Sequence, residues 1–182
     1  MTAYPTVQTY DARSIFFHWL SAFLVFALWI LAQAIDAFPR GEPRDLARSF
    51  HIAMGVLLAL TLILRLIWRF TGGVKLAPVS PGLAGKLATG GHHLLYLLLI
   101  ATVALGIFNA KVRGDTLFGA FTIPALEGTD RAYRRMVGGW HELAANLLFF
   151  IALGHAAIAV WHHAVMKDVT LIRMRPGLKR RA

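Results

Sequence analysis

Four long apolar runs constrain this chain more than anything else in it: Ile15 to Ile35, about His51 to Trp68, about Leu94 to Phe108, and Trp140 to Val165. Each approaches the roughly 20 residues that cross a hydrocarbon core, the third being short unless His92 and His93 join it. Exposed backbone groups find no water there, so each run is expected to be a helix. Four spans in 182 residues leave only short connections. The chain is 57% hydrophobic and 15% charged, against about a quarter charged in soluble domains. That excludes a small soluble globule and a disordered chain. The lack of cysteine excludes disulfides, zinc–thiolate sites, iron–sulfur clusters and thioether-linked haem. The expected fold is all-α, an integral membrane four-helix bundle forming one domain over residues 1–182.

Turn chemistry marks the connections: Phe38-Pro39-Arg40-Gly41-Glu42-Pro43, Thr71-Gly72-Gly73, Pro78 to Gly82, and Arg113 to Gly128. The net charge of +10 reads, in so apolar a chain, as attraction to an anionic membrane surface rather than to nucleic acid. With the N-terminus inside, the cytoplasmic side holds 11 of the 19 basic residues, Lys179, Arg180 and Arg181 among them, and two of the nine acids. The bias in Lys and Arg predicts both termini in the cytoplasm. Ala32-Gln33-Ala34 resembles a leader-peptidase site. The run before it is too long for a typical leader and lacks net positive charge ahead of it, so a retained span is expected.

Eight histidines are the informative anomaly. Ionisable residues in membrane helices are expensive and mark functional sites by default. His141 and His155 are 14 residues apart, about 40° short of four full turns and about 21 Å along one helix face. If the first helix starts at Asp11 as its N-cap, His18 lies about two turns in from the cytoplasm; if the second starts near Pro43 or Asp45, His51 lies about two turns in from the other side. Antiparallel helices then pair His18 with His155 and His51 with His141. Two bis-imidazole sites stacked across a bundle suit two b-type haems acting in electron transfer. The plainer alternative is interfacial histidines bonded to other helices or to lipid headgroups. A metal transporter would bring intramembrane carboxylates, and only Glu142 lies close by. Met54 and Met136 are assigned to packing.

The segments Phe17-His18-Trp19, His51-Ile52-Ala53-Met54-Gly55, Trp140-His141-Glu142, Gly154-His155-Ala156 and Trp161-His162-His163, with Gly91-His92, Tyr96, Arg113-Gly114 and Phe118-Gly119, resemble the bacterial cytochrome b561 family. The resemblance covers about Tyr10 to Pro176. The closing Lys167-Asp168 to Pro176 stretch is closest to the branch that oxidises superoxide and reduces ubiquinone. It implies His18, His51, His141 and His155 as axial ligands of two haem b groups, and His162 at a ubiquinone site. Related cytochromes serve hydrogenases or dehydrogenases, so an electron-relay subunit is the alternative role; with such short loops, an obligate protein partner is not required. From the residues alone, His162 falls about 10 Å beyond His155 on the same face, while His163 points some 100° away; an interfacial doublet is the other reading.

Haem propionates need cationic or hydrogen-bonding partners near an interface. Arg13, Arg65 and Arg69 are candidates on the inner side, Arg48 and Arg135 on the outer. Ordinary anchoring and snorkelling compete with that role. Arg131, Arg134 and Arg135 precede His141 and form a local basic funnel for an anion such as superoxide. The tryptophans lie mostly near span ends, as interfacial belts do.

Overall fold

The computed structural model describes residues 8–176; Lys179, Arg180 and Arg181, counted above toward the orientation, lie outside them. Four helices, α1 (Ala12–Ile35), α2 (Glu42–Thr71), α3 (Gly82–Arg113) and α4 (Arg131–Ala164), form the molecule. All four are long and apolar enough to cross a membrane. Their starts follow from local chemistry. Asp11 caps α1, accepting from the Ser14 backbone N–H at 2.9 Å and its hydroxyl at 2.7 Å; such a cap satisfies a donor the helix itself cannot. Pro43 sits in the first turn of α2, after Gly41 at φ +99°. Asp130 caps α4 through the Tyr133 N–H at 2.7 Å. Gly114, left-handed at φ +67°, ends α3.

All four helices are longer than their apolar runs, α3 by the most. α3 starts 12 residues before Leu94 and takes in His92 and His93, and α4 starts at Arg131 rather than Trp140. Hydropathy registers only the stretch inside hydrocarbon, whereas a helix continues while its backbone bonds are made internally and a cap is available. The Arg113 to Gly128 connection also holds a two-stranded antiparallel hairpin, Thr116–Leu117 (β1) with Phe121–Thr122 (β2). Phe118 and Gly119 both have positive φ at its turn. The Phe118 N–H donates to Ser49 Oγ at 3.0 Å, which ties the hairpin to α2. Nothing in the composition of that linker announced strands so short.

The helices associate most extensively as two antiparallel hairpins, α1 with α2 and α3 with α4, joined by lighter α2–α3 and α1–α4 contacts. The two hairpins meet at mid-height in a cluster of Leu24 and Leu28 from α1, Leu58 and Leu62 from α2, Leu99 from α3 and Leu148 from α4. Trp29 stacks on Phe149 at 3.9 Å and donates to Asn146 Oδ1 at 2.8 Å, joining α1 to α4. Large apolar side chains such as Phe23, Ile30, Ile63, Leu97 and Phe150 face outward. In water that surface would aggregate; in a bilayer it meets lipid.

One end of the bundle gathers both ends of the described chain. The Tyr10 N–H donates to the Arg173 carbonyl at 3.1 Å. The Trp19 indole donates to the Met174 carbonyl at 2.8 Å, and the Arg173 guanidinium to the Ala77 carbonyl at 2.7 Å. The α2–α3 connection and the segment after α4, with its 3-10 turn Ile172–Met174, thus close this terminal end. The α1–α2 loop and the hairpin form the far end.

Candidate functional site

Four half-buried histidines stand in two pairs at two levels. His18 of α1 and His155 of α4 have ring centroids 6.4 Å apart at an interplanar angle of 70°. His51 of α2 and His141 of α4 lie 6.3 Å apart at 85°. These are the pairings expected from helix periodicity. Leu148 is seven residues from each α4 histidine, so the leucine cluster forms an apolar layer between the levels.

The separations bear on what each pair can hold. A ring nitrogen lies about 1.1 Å from the centre of an imidazole and bonds a metal at about 2 Å, so two rings trans across one metal have centroids roughly 6 Å apart. Both pairs meet that distance. His92 and His155, at 5.1 Å, are too close to stand trans across one metal, and His92 Nδ1 is bound at 2.7 Å to the Ala88 carbonyl of its own helix. Among the described residues no cluster of three or more His, Asp or Glu gathers to hold a bare metal ion. Two imidazoles alone leave most of a coordination sphere to be filled, which a tetrapyrrole does with four nitrogens in one plane.

The surroundings of the far-end pair fit such a group. His141 Nδ1 donates to the Thr102 carbonyl at 3.1 Å, so Nε2 keeps its lone pair for a metal. A Cβ on Gly106 would stand 2.9 Å from His141 Cε1, so the ring rests against bare backbone. His51 Nδ1 and Asn109 Oδ1 are buried without hydrogen-bond partners among the described residues, as suits a site that a further group completes. At the terminal-end pair, Arg65 approaches His18 Nδ1 at 3.2 Å and lies over the Tyr96 ring at 5.1 Å.

The other arginines divide. Arg13 stacks on the Trp68 ring at 4.5 Å, at the terminal end. Arg48, three residues before His51, pairs with Asp45 at 3.4 Å. Arg69 and Arg135 are exposed. Arg131, Arg134 and Arg135 crowd the start of α4 on the far-end surface, with Arg134 held by Thr129 Oγ1 at 3.3 Å. Met54 packs against the leucine cluster, as expected, and Met136 lies exposed.

Beyond His155, His162 is half-buried and its Nδ1 lies 2.5 Å from Asp168 Oδ2; His163 is exposed. Burial pushes the Asp168 carboxyl up, but hydrogen bonds from His162 and Thr170 outweigh it and hold the group below the usual carboxylate range. The sequence reading missed this partnership, because the acid lies past the helix end where periodicity says nothing. It also missed Thr102, Gly106 and Asn109, three residues on one face of α3.

Comparison with known proteins places the chain among relatives. The family model described as prokaryotic cytochrome b561 matches residues 9–177. The chain is 31% identical over 179 residues to cytochrome b561 homolog 2 of Escherichia coli K12, covering 93% of this chain and 92% of that one. It is 30% identical over 173 residues to a probable superoxide oxidase, CybB, of Yersinia pestis, covering 93% and 97%. Cytochrome b561 homolog 1 of E. coli K12 is 27% identical over 176 residues, covering 95% and 100%. With four spanning helices, this is a multi-pass inner-membrane protein. The chain belongs to the prokaryotic cytochrome b561 family, which implies a haem b-binding membrane helical bundle that transfers electrons.

Proposed function

We propose that this chain is a superoxide:ubiquinone oxidoreductase carrying two haem b groups, one between His18 and His155 and one between His51 and His141. The observation that carries the reading is the pair of centroid separations, 6.4 and 6.3 Å, at two levels of one bundle. His18 with His155, and His51 with His141, would each hold one haem, which would supply reversible one-electron iron chemistry. The far end faces the periplasm, following the Lys and Arg bias.

The protein's own residues account for the two ends. Arg131, Arg134 and Arg135 attract an anion to the far-end surface, where eight basic residues in all stand against seven acids, so the effect is local. Each superoxide gives up one electron and leaves as dioxygen. At the terminal end, two electrons and two protons convert ubiquinone to ubiquinol. His162 is the group that bonds a quinone carbonyl and delivers a proton, and Asp168 holds its Nδ1 so that Nε2 faces the substrate. Arg65, Arg13, Arg48 and Arg135 are the propionate candidates, Arg65 first. Arg65 lies 3.2 Å from His18 Nδ1; were His18 to hold a haem through its other nitrogen, Nδ1 would carry the proton and Arg65 would be free to pair with a propionate.

Purified protein tests this directly. Pyridine haemochrome analysis is expected to give two haems per chain. Enzymatically generated superoxide is expected to reduce them, and added ubiquinone to reoxidise them. Haem that superoxide leaves oxidised makes the chain instead a relay subunit for a separate dehydrogenase or hydrogenase.

A further inference from the structure

Helix α3 contributes to neither histidine pair, yet it packs along α4 and touches His141 twice. The Thr102 carbonyl accepts from His141 Nδ1 at 3.1 Å. Four residues on, Gly106 presents bare backbone to the same ring: an added Cβ would lie 2.9 Å from Cε1, 3.4 Å from Nδ1 and 3.6 Å from Nε2. A residue at i+4 lies over the carbonyl of residue i. Any side chain at 106 would therefore stand where the imidazole must lie to reach that oxygen. The two features make one cradle. The carbonyl chooses the proton position and the missing Cβ sets how closely the ring approaches.

The terminal-end pair has no counterpart. His18 Nδ1 faces a guanidinium donor, not a carbonyl, and among the described residues His155 has its ring against His92 rather than on a backbone carbonyl. A carbonyl accepting from the free nitrogen makes an imidazole a more basic ligand, which favours ferric over ferrous iron.

We propose that Gly106 and the Thr102 carbonyl form a positioning site for His141 that fixes its ring and lowers the reduction potential of the far-end haem relative to the terminal-end haem. The inference rests on the two-haem reading above. It orders the two centres: the electron moves downhill from the far end to the terminal end because α3 makes a ligand of the far-end haem richer in electrons.

The test is Gly106→Ala in purified holoprotein, followed by potentiometric titration and low-spin EPR, neither of which needs turnover. The methyl group has nowhere to go but against the ring, so the hydrogen bond lengthens. The far-end haem is expected to become easier to reduce by about tenfold in its equilibrium, 59 mV for one electron, with an altered EPR signal, while the terminal-end haem stays put. Loss of the far-end haem alone supports the same role. Gly90→Ala, on the same helix with nothing within 4 Å of the added Cβ, is expected to change neither haem. Unmoved potentials and signals in Gly106→Ala overturn the proposal. If that variant loses both haems, pulsed EPR of the wild-type protein in D2O decides: a more strongly hydrogen-bonded remote nitrogen at the far-end haem supports the cradle, and equal nitrogens at both haems overturn it. A wild-type chain with one haem overturns the two-haem reading and this inference with it; two haems and an unaffected Gly106→Ala overturn this inference alone.

Discussion

Neutralising Asp11 is expected to loosen the terminal end of the bundle in a pH-dependent way. Its two carboxylate oxygens collect four donors: Oδ1 takes the Ser14 N–H at 2.9 Å and the Trp68 indole at 2.8 Å, and Oδ2 takes the Ser14 hydroxyl at 2.7 Å and the Val74 N–H at 3.1 Å. The carboxylate therefore caps α1 and clamps it to the end of α2, seven residues before His18. Burial raises its pKa, but these hydrogen bonds prevail and hold it at about 2, down from 3.8. Taken whole, that shift corresponds to about 2.5 kcal/mol; the group lies close to solvent, and screening leaves about 1 kcal/mol. Because the folded pKa is depressed, this stability is fully present above about pH 4 and disappears as pH falls toward about 2. Asp11→Asn keeps a capping oxygen but turns an amide N–H toward donors. Chemical unfolding of the detergent-solubilised protein is expected to show a deficit of about 1 kcal/mol at pH 7. That deficit closes as the wild-type carboxyl itself protonates. An equal deficit at pH 2.5 and pH 7, or none at pH 7, refutes the reasoning.

Three further outcomes follow from the paired levels. His141→Ala or His51→Ala is expected to halve the haem content by removing the far-end group, and His18→Ala or His155→Ala to do the same at the terminal end; pyridine haemochrome analysis and redox titration distinguish the two. His162→Ala is expected to keep both haems and their reduction by superoxide while slowing reoxidation by ubiquinone about tenfold to a hundredfold, on the scale of general acid catalysis, with Asp168→Asn acting in the same direction; stopped-flow spectra read both steps. Replacing Arg134 and Arg135 together by Gln is expected to slow haem reduction by superoxide several-fold and to flatten its ionic-strength dependence, and unchanged salt dependence removes the basic funnel from the account.

Much of the protein was legible in the residues taken one after another. Four apolar runs forced helices, because a backbone in hydrocarbon has no other partner for its polar groups. Asp11, Pro43 and the 14-residue spacing of His141 and His155 set depths, since rise per residue and residues per turn are constants of the helix. Depth and antiparallel order were enough to pair the histidines across three helices. The ends of α3 and α4 were not legible, because Gly82 to Gly91 and Arg131 to Gly139 carry no hydropathic signature of membrane burial.

What the chain order could not supply is lateral: which face of α3 meets α4, and what stands next to each ring. The Thr102 carbonyl is a backbone group that every residue possesses, and Gly106 acts by an atom it lacks. Asp168 reaches His162 only because the chain turns back after Ala164. Contacts of this kind depend on the rotation of one packed helix about its axis and on the path of a short loop. Packing of the whole bundle decides both. Periodicity along one helix therefore sets the levels of the histidines, while the tertiary structure alone sets their second partners, and with them which nitrogen is left free.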